Sequence, residues 1–147
     1  MHTITKEREL LDKLYKNVKM GSDSIIKLLD KASEGEFKTS LTKQINGYES
    51  LAAKIKKRLS DMGAEAHEEN AMVKLWTNVG MAINTMMDSS DSHLAELIAE
   101  GSNMGVTDGI KLLREYENTE VSEDALALVR DVIGFEEHNL ETAKKFI

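Results

Sequence analysis

The chain has 147 residues, a length at which one core can bury roughly 68–70% of the surface the unfolded chain exposes, so a single domain over residues 1–147 is expected. A net charge of −7 opposes binding to a phosphate backbone, and the absence of cysteine excludes disulfides, thiolate catalysis and Cys-ligated zinc or iron–sulfur centres. With no proline, 31% charged and only 5% aromatic residues, the composition favours an all-α fold and suits a sheet poorly.

The opening segment MHTITKERELLDKLYKNV is charged from its first turns and has no apolar run of signal-peptide length. No stretch approaches the ~20 apolar residues of a membrane span, so a cytoplasmic protein without membrane contacts is expected. Leu11, Leu14, Val18, Gly21, Ile25, Leu28 and Ala32 then recur at alternating spacings of three and four and predict a first helix over about 4–33. Ser33-Glu34-Gly35-Glu36 breaks it. Leu41, Ile45, Tyr48, Ala52, Ile55, Leu59 and Met62 repeat the rhythm up to Gly63, a C-terminal stop. So short a connection makes these two helices antiparallel neighbours. The basic run Lys54, Lys56, Lys57 and Arg58 reads as a solvated helix face rather than a nucleic-acid patch.

Residues 63–70 are polar and read as a loop, after which Met72, Leu75, Trp76, Val79, Ile83 and Met86 mark a shorter helix. Val73, Met81 and Met87 lie off its stripe, so it is apolar over a wide arc and calls for cover by the bundle, by a second copy of the chain, or by both. Its methionines read as core or subunit interface ahead of an adaptable binding groove. Asp88-Ser-Ser-Asp-Ser92 supplies a break and candidate N-caps. The next run carries Gly101, Gly105 and Gly109, each costing about 1 kcal/mol against alanine inside a helix. Their four-residue spacing places them on nearly one face, and the segment is read as a continuous helix, kinked or straight, ending near Asn118. Ser122 is an N-cap followed by Glu123 and Asp124, well placed for the helix dipole. The last helix has Leu126, Val129, Ile133, Glu136, Leu140, Ala143 and Ile147 as its seam.

Two long pairs joined by a crossover that carries its own short helix make a four-helix bundle. This order of elements is similar to the ferritin-like superfamily. More narrowly, Asp12-Lys-Leu14 and Lys19-Met-Gly21 in the first helix, Leu59 and Met62-Gly63 at the end of the second, Ala99-Glu100-Gly101 in the third and the lone His138 in the fourth resemble a bacterial bundle family that carries a domain-of-unknown-function label. The resemblance covers nearly the whole chain and implies a fold and a bacterial source, not a reaction.

Di-iron bundles of the ferritin-like kind draw one Glu from each of two helices and a Glu-x-x-His pair from each of the other two. No such pair occurs here: Phe135 stands three positions before His138, Ala64 before His67 and Ser90 before His93. Glu49 is followed by Ala52 where the histidine would stand, and the middle of the first helix offers Gly21 and Ser22 in place of a glutamate. A reduced iron or zinc site would have to be drawn from Glu49, Glu100, Glu136 and His138, with Glu137 and Glu141 nearby. Glu136 is the most informative, because its seam position predicts burial and a buried carboxylate has to be paired, hydrogen-bonded or protonated. A polar contact to Tyr48, Tyr15 or a lysine is the simpler account. His138 falls one step outside the seam and reads as a rim histidine.

Other templates are absent. There is no Gly-x-Gly-x-x-Gly or Gly-x-x-x-x-Gly-Lys-Ser/Thr, four histidines fall short of a hemerythrin-like set, and no histidine is spaced with a serine and an acid in a recognisable triad. The expectation is a non-enzymatic bundle with no catalytic residue and no bound cofactor, acting as a structural or interaction protein and forming a homodimer. The competing readings are the reduced iron or zinc protein and a pocket for a small apolar molecule where Gly21, Gly47 and the later glycines leave space.

Overall fold

The computed structural model describes residues 2–64 and 88–147. These form four helices and no strand among the described residues: α1 (His2–Leu29), α2 (Glu36–Asp61), α3 (Asp91–Tyr116) and α4 (Glu123–Lys144). Four of the boundaries have a local chemical cause in glycine or serine. Gly35 adopts φ 130° before α2 and Gly63 φ 73° just after it, backbone states that disfavour any residue with a Cβ. Ser90 and Ser122 cap α3 and α4 by accepting from the backbone N–H of His93 and Ala125.

Contacts between helix ends define the topology. The start of α1 meets the end of α2 and the start of α4 through Glu7, Arg58 and Ser122, and meets the end of α3 through Glu9 and Tyr116. At the opposite end Ser33 N–H donates to Asp91 at the start of α3, and Phe37 packs on Phe146 with ring centroids 5.1 Å apart. Hence α1–α2 and α3–α4 are antiparallel hairpins, while α2 and α3 run the same way. The chain leaves α2 at one end and enters α3 at the other, about 39 Å along a helix of 26 residues, so the connection over 62–90 is a lengthwise crossover. The short helix expected within it over Met72–Met86, with Trp76 and the apolar arc, lies outside the described residues.

The interior is aliphatic: Leu10, Leu11, Leu14, Val18, Ile25 and Leu28 of α1 pack with Leu41, Ile55 and Leu59 of α2, Leu94, Ile98 and Leu112 of α3, and Leu126 and Val129 of α4. α3 runs unbroken through all three glycines. α1 stops at Leu29 rather than near residue 33. The N–H groups of Lys31 and Ala32 reach back only three residues, to Leu28 and Leu29, and this tightened turn drops Ala32 into the core without a further helical turn. The α4 seam is also rotated from expectation. Val132 and Asn139 are buried where Ile133 and Leu140 were expected, and Ile147 is 55% exposed. Leu126, Ile133 and Leu140 form a strict heptad row, which drifts about 20° per heptad on a straight helix and passes from the buried Leu126 to the half-buried Ile133 and Leu140, while Ile147 lies beyond the end of α4 at Lys144. Glu136 and Ala143, at the centre of the buried stripe, stay in.

Candidate functional site at mid-bundle

The middle of the bundle is built from glycines and the side chains that enter the space they leave. A Cβ at Gly21 would collide with the Tyr48 ring, one at Gly47 with Phe135, one at Gly109 with Ile133 and one at Gly105 with the Glu136 carboxyl. The gaps are therefore filled by the chain's own residues, as close helix contact requires, and not left as a pocket for an apolar guest. Tyr48 and Phe135 meet edge to face, centroids 4.8 Å apart and planes at 84°.

Into this frame α4 projects Glu136, only 3% exposed. Its Oε1 accepts a hydrogen bond from the Tyr48 hydroxyl; Oε2 lies against Gly105, where only hydrogen can stand. Burial pushes the Glu136 carboxyl up to about 7; Tyr48 and Asn139 pull it back, and the negative charge of Asp108 adds to the rise. Burial, with the facing Glu136 charge and its hydrogen bond, also pushes the Tyr48 hydroxyl well above its ordinary value, while Asn139 and Ser102 oppose this. Asn139, one turn beyond Glu136, favours the ionised forms of both partners, yet its buried Nδ2 makes no hydrogen bond of full geometry.

A cavity with room for about one water opens beside this pair, lined by Leu14, Asn17 and Val18 of α1, Tyr48 of α2, Gly105, Asp108 and Gly109 of α3, and Val132 and Glu136 of α4. Burial pushes Asp108 up, with Lys111 opposing. The buried Oδ1 of Asn17 has no hydrogen-bond partner.

Of the four residues proposed as ligands, Glu136 is buried, whereas Glu49, Glu100 and His138 face solvent. Glu49 is engaged elsewhere: the Ser22 hydroxyl donates to it at 2.6 Å and Lys19 Nζ stands 3.2 Å away. The Ser22 hydrogen bond first and the Lys19 charge second hold it below the usual glutamate range, against its partial burial. Among the described residues no three His, Asp or Glu side chains come together in a group that could hold a metal. Of the partners considered for Glu136, the structure selects Tyr48. Sequence reasoning missed Asp108, Asn139 and Asn17. Asp108 had a signal, since it lies three residues past Gly105 and hence on the same helix face. Asn139 stands in the same relation to Glu136.

A second buried carboxylate sits near one end of the bundle. Glu7 is 6% exposed. Its Oε1 accepts from Ser122 N–H at 2.7 Å and its Oε2 from Arg58 Nη2 at 2.9 Å and Nε at 3.2 Å. Arg58 also donates to the Ser122 hydroxyl at 2.8 Å. Burial alone would push Glu7 up, but the Ser122 hydrogen bonds together with Arg58 hold it below its ordinary value. Arg58 therefore departs from the basic run it belongs to. Lys54, Lys56 and Lys57 are exposed as expected, and the guanidinium turns inward to tie α1, α2 and the start of α4 together.

Four helices in two antiparallel hairpins, with the second and third running the same way, have the arrangement of a ferritin-like bundle. The crystal structure of Dps92 from Deinococcus radiodurans superposes with a TM-score of 0.72 over 99% of this chain and 88% of that one, at 11% sequence identity, and shows the fold alone. No protein-family model and no curated protein matches the sequence. Among the described residues no helix is long and apolar enough to cross a membrane.

Proposed function

We propose that this ferritin-like bundle works by association, as a structural or interaction protein forming a homodimer, and not by metal chemistry. The observation that carries the reading is the commitment of its carboxylates. Glu136 is bonded to Tyr48 and pressed on Gly105, Glu49 is held by Ser22 and Lys19, and Glu100 and His138 face outward. Two metal ions in such a bundle need about six inward ligands, and among the described residues the centre holds the Tyr48 and Phe135 rings, the buried Glu136 carboxyl and the half-buried Asp108 beside it. Support for association comes from the sequence between the second and third helices, where Met72, Val73, Leu75, Trp76, Val79, Met81, Ile83, Met86 and Met87 spread over more than one helical stripe, a pattern that calls for cover by the bundle, by a second copy of the chain, or by both.

The test uses the full chain purified without chelators, with elemental analysis, a ferrous-oxidation assay and light scattering run on one preparation. The expected result is sub-stoichiometric metal, no oxidation above the buffer rate and a mass of twice 16.4 kDa. Stoichiometric iron or zinc that is lost in a Glu136→Gln, Glu49→Gln double variant would replace this reading with the metal one. A concentration-independent monomer would remove the dimer.

A further inference from the structure

α2 and α4 lie side by side in opposite directions, and two ring contacts fix their relative height: Phe37 on Phe146 at one end and Tyr48 on Phe135 at the middle. On the outer side of α2, Glu36, Lys43, Ser50 and Lys54 recur at spacings of seven and four and form one exposed face. On α4 and its C-cap, Asp131, Gly134, His138, Glu141 and Lys145 recur at spacings of three and four, and all are exposed. Measured from the ring contacts, each charge on one face stands level with an opposite charge on the other. Lys54 is six residues past Tyr48 and Asp131 four before Phe135, a difference in height of about 3 Å. Lys43 and Glu141 differ by about 1.5 Å, and Glu36 and Lys145 each stand one residue from the Phe37–Phe146 contact. Lys43, Lys54 and Asp131 have no ion-pair partner among the described residues, and Glu141 is held by Lys144 of its own helix. Between the charges Gly134 leaves open space, with nothing within 4 Å of where its Cβ would stand. This flank also joins hairpins of opposite charge: residues 2–61 carry thirteen Lys and Arg against nine Asp and Glu, and residues 88–147 carry five against fourteen.

We propose that the α2–α4 flank is where two copies of the chain meet, related by a two-fold axis running along the bundle. The inference rests on the homodimer reading and names its interface. Such an axis keeps every height and exchanges α2 with α4, so charges that are level within one chain face each other between two. Lys54 meets Asp131 of the second copy, Lys43 meets Glu141 and Glu36 meets Lys145, and each pair is made twice. The acidic hairpin of each chain then lies on the basic hairpin of the other, and the space at Gly134 admits the incoming α2 closely. A two-fold axis across the bundle would instead lay α2 on α2, with Lys43 against Lys54, and α4 on α4, with Asp131 against Glu141. Like charges would then meet throughout, which selects the lengthwise axis.

The experiment is sedimentation velocity of the full chain over a range of concentrations, for wild type, the pair Lys43→Glu with Lys54→Glu, the pair Asp131→Lys with Glu141→Lys, and all four exchanges together. Each two-site variant sets like charge against like in its own dimer, and its dissociation constant should rise about tenfold or more. Mixed in equal amounts, the two variants should pair with each other, and the four-site variant should dimerise as wild type does, because both arrangements restore opposite charges. A two-site variant that dimerises as tightly as wild type overturns the interface and leaves the homodimer reading standing. A mixture or a four-site variant that fails to regain the dimer does the same. A wild-type chain that is monomeric at every concentration overturns both. Circular dichroism checks that each variant keeps its helices. Where a reversal unfolds the chain, the neutral exchanges Lys43→Gln with Lys54→Gln, or Asp131→Asn with Glu141→Gln, take its place: a weaker dimer is expected, and an unchanged one overturns the interface.

Discussion

Glu7 and Glu136 are the same residue at nearly the same burial, 6% and 3% exposed, and the fold treats them in opposite ways. Glu7 lies where three helix ends meet, within reach of a guanidinium and a capped N-terminal backbone N–H. Its charge is neutralised on the spot, and its carboxyl is held below the ordinary value despite burial. Glu136 lies at mid-helix, where every backbone N–H is already bonded within its own helix and no cation lines the cavity. It has one hydroxyl donor and a like charge, and burial prevails. Helix ends offer unsatisfied donors and room for long cations to enter from solvent, whereas helix middles offer only what neighbouring side chains bring. The difference between a structural anchor and a titratable site is thus one of position along the bundle.

The largest effect that tests this contrast is on pH dependence, where the two residues carry opposite signs. The Glu136 carboxyl is raised in the folded chain from 4.5 to about 7. Folding then takes up a proton between those values, so its stability contribution is fully present below about pH 4.5 and is lost as pH rises towards 7, a swing on the order of 3 kcal/mol. Glu7 is lowered, so its contribution is present above the ordinary glutamate range and is lost as pH falls through its folded value. Urea midpoints from pH 3 to 8 should therefore peak on the acid side of neutrality. Glu136→Gln should remove the decline towards pH 7 and leave the acid limb intact.

Next in size is Gly105→Ala. A Cβ there meets the Glu136 carboxyl, and displacing that group from Tyr48 should cost about 2–3 kcal/mol of unfolding free energy, despite alanine's better helix propensity. A result within 0.5 kcal/mol of wild type would mean that α3 and α4 do not pack as closely as described. Glu7→Ala should cost about 2 kcal/mol by leaving Arg58 and Ser122 N–H without their acceptor, a value discounted because the Arg58 side chain is 31% exposed. Arg58→Ala should cost a similar amount, and the double variant less than the sum of the two. The smallest effect is of opposite sign. Nothing stands within 4 Å of a Cβ at Gly134, in the middle of α4, so Gly134→Ala should stabilise by about 0.5–1 kcal/mol.

Helix periodicity made most of this fold legible, because apolar spacing of three and four has one structural meaning over long stretches. Gly35, Gly63, Ser90 and Ser122 marked boundaries through backbone and capping chemistry that acts within a few residues. The spacing of Gly101, Gly105 and Gly109 disclosed a close helix contact, and the seam position of Glu136 disclosed its burial. What stayed hidden depended on partners distant in sequence. Arg58 reads as one of four basic residues until Glu7 and Ser122 are placed beside it. Asp108 reads as a surface acid until α4 brings Glu136 across Gly105. The α4 seam departs from the expected row at Leu140, which is half-buried because a heptad row drifts where the helix keeps its own period, and at Ile147, which lies past the helix end at Lys144, while Ile133 packs against Gly109 and the core.

The central claim is that Glu136, unlike Glu7, is carried as a neutral carboxyl at mildly acid pH. Infrared difference spectra at pH 6 test it most directly, since a protonated carboxyl has a carbonyl band that a carboxylate lacks. The account predicts such a band in the wild-type protein, absent in Glu136→Gln and retained in Glu7→Gln. A wild-type spectrum without the band, or one whose band disappears in Glu7→Gln and persists in Glu136→Gln, would contradict it.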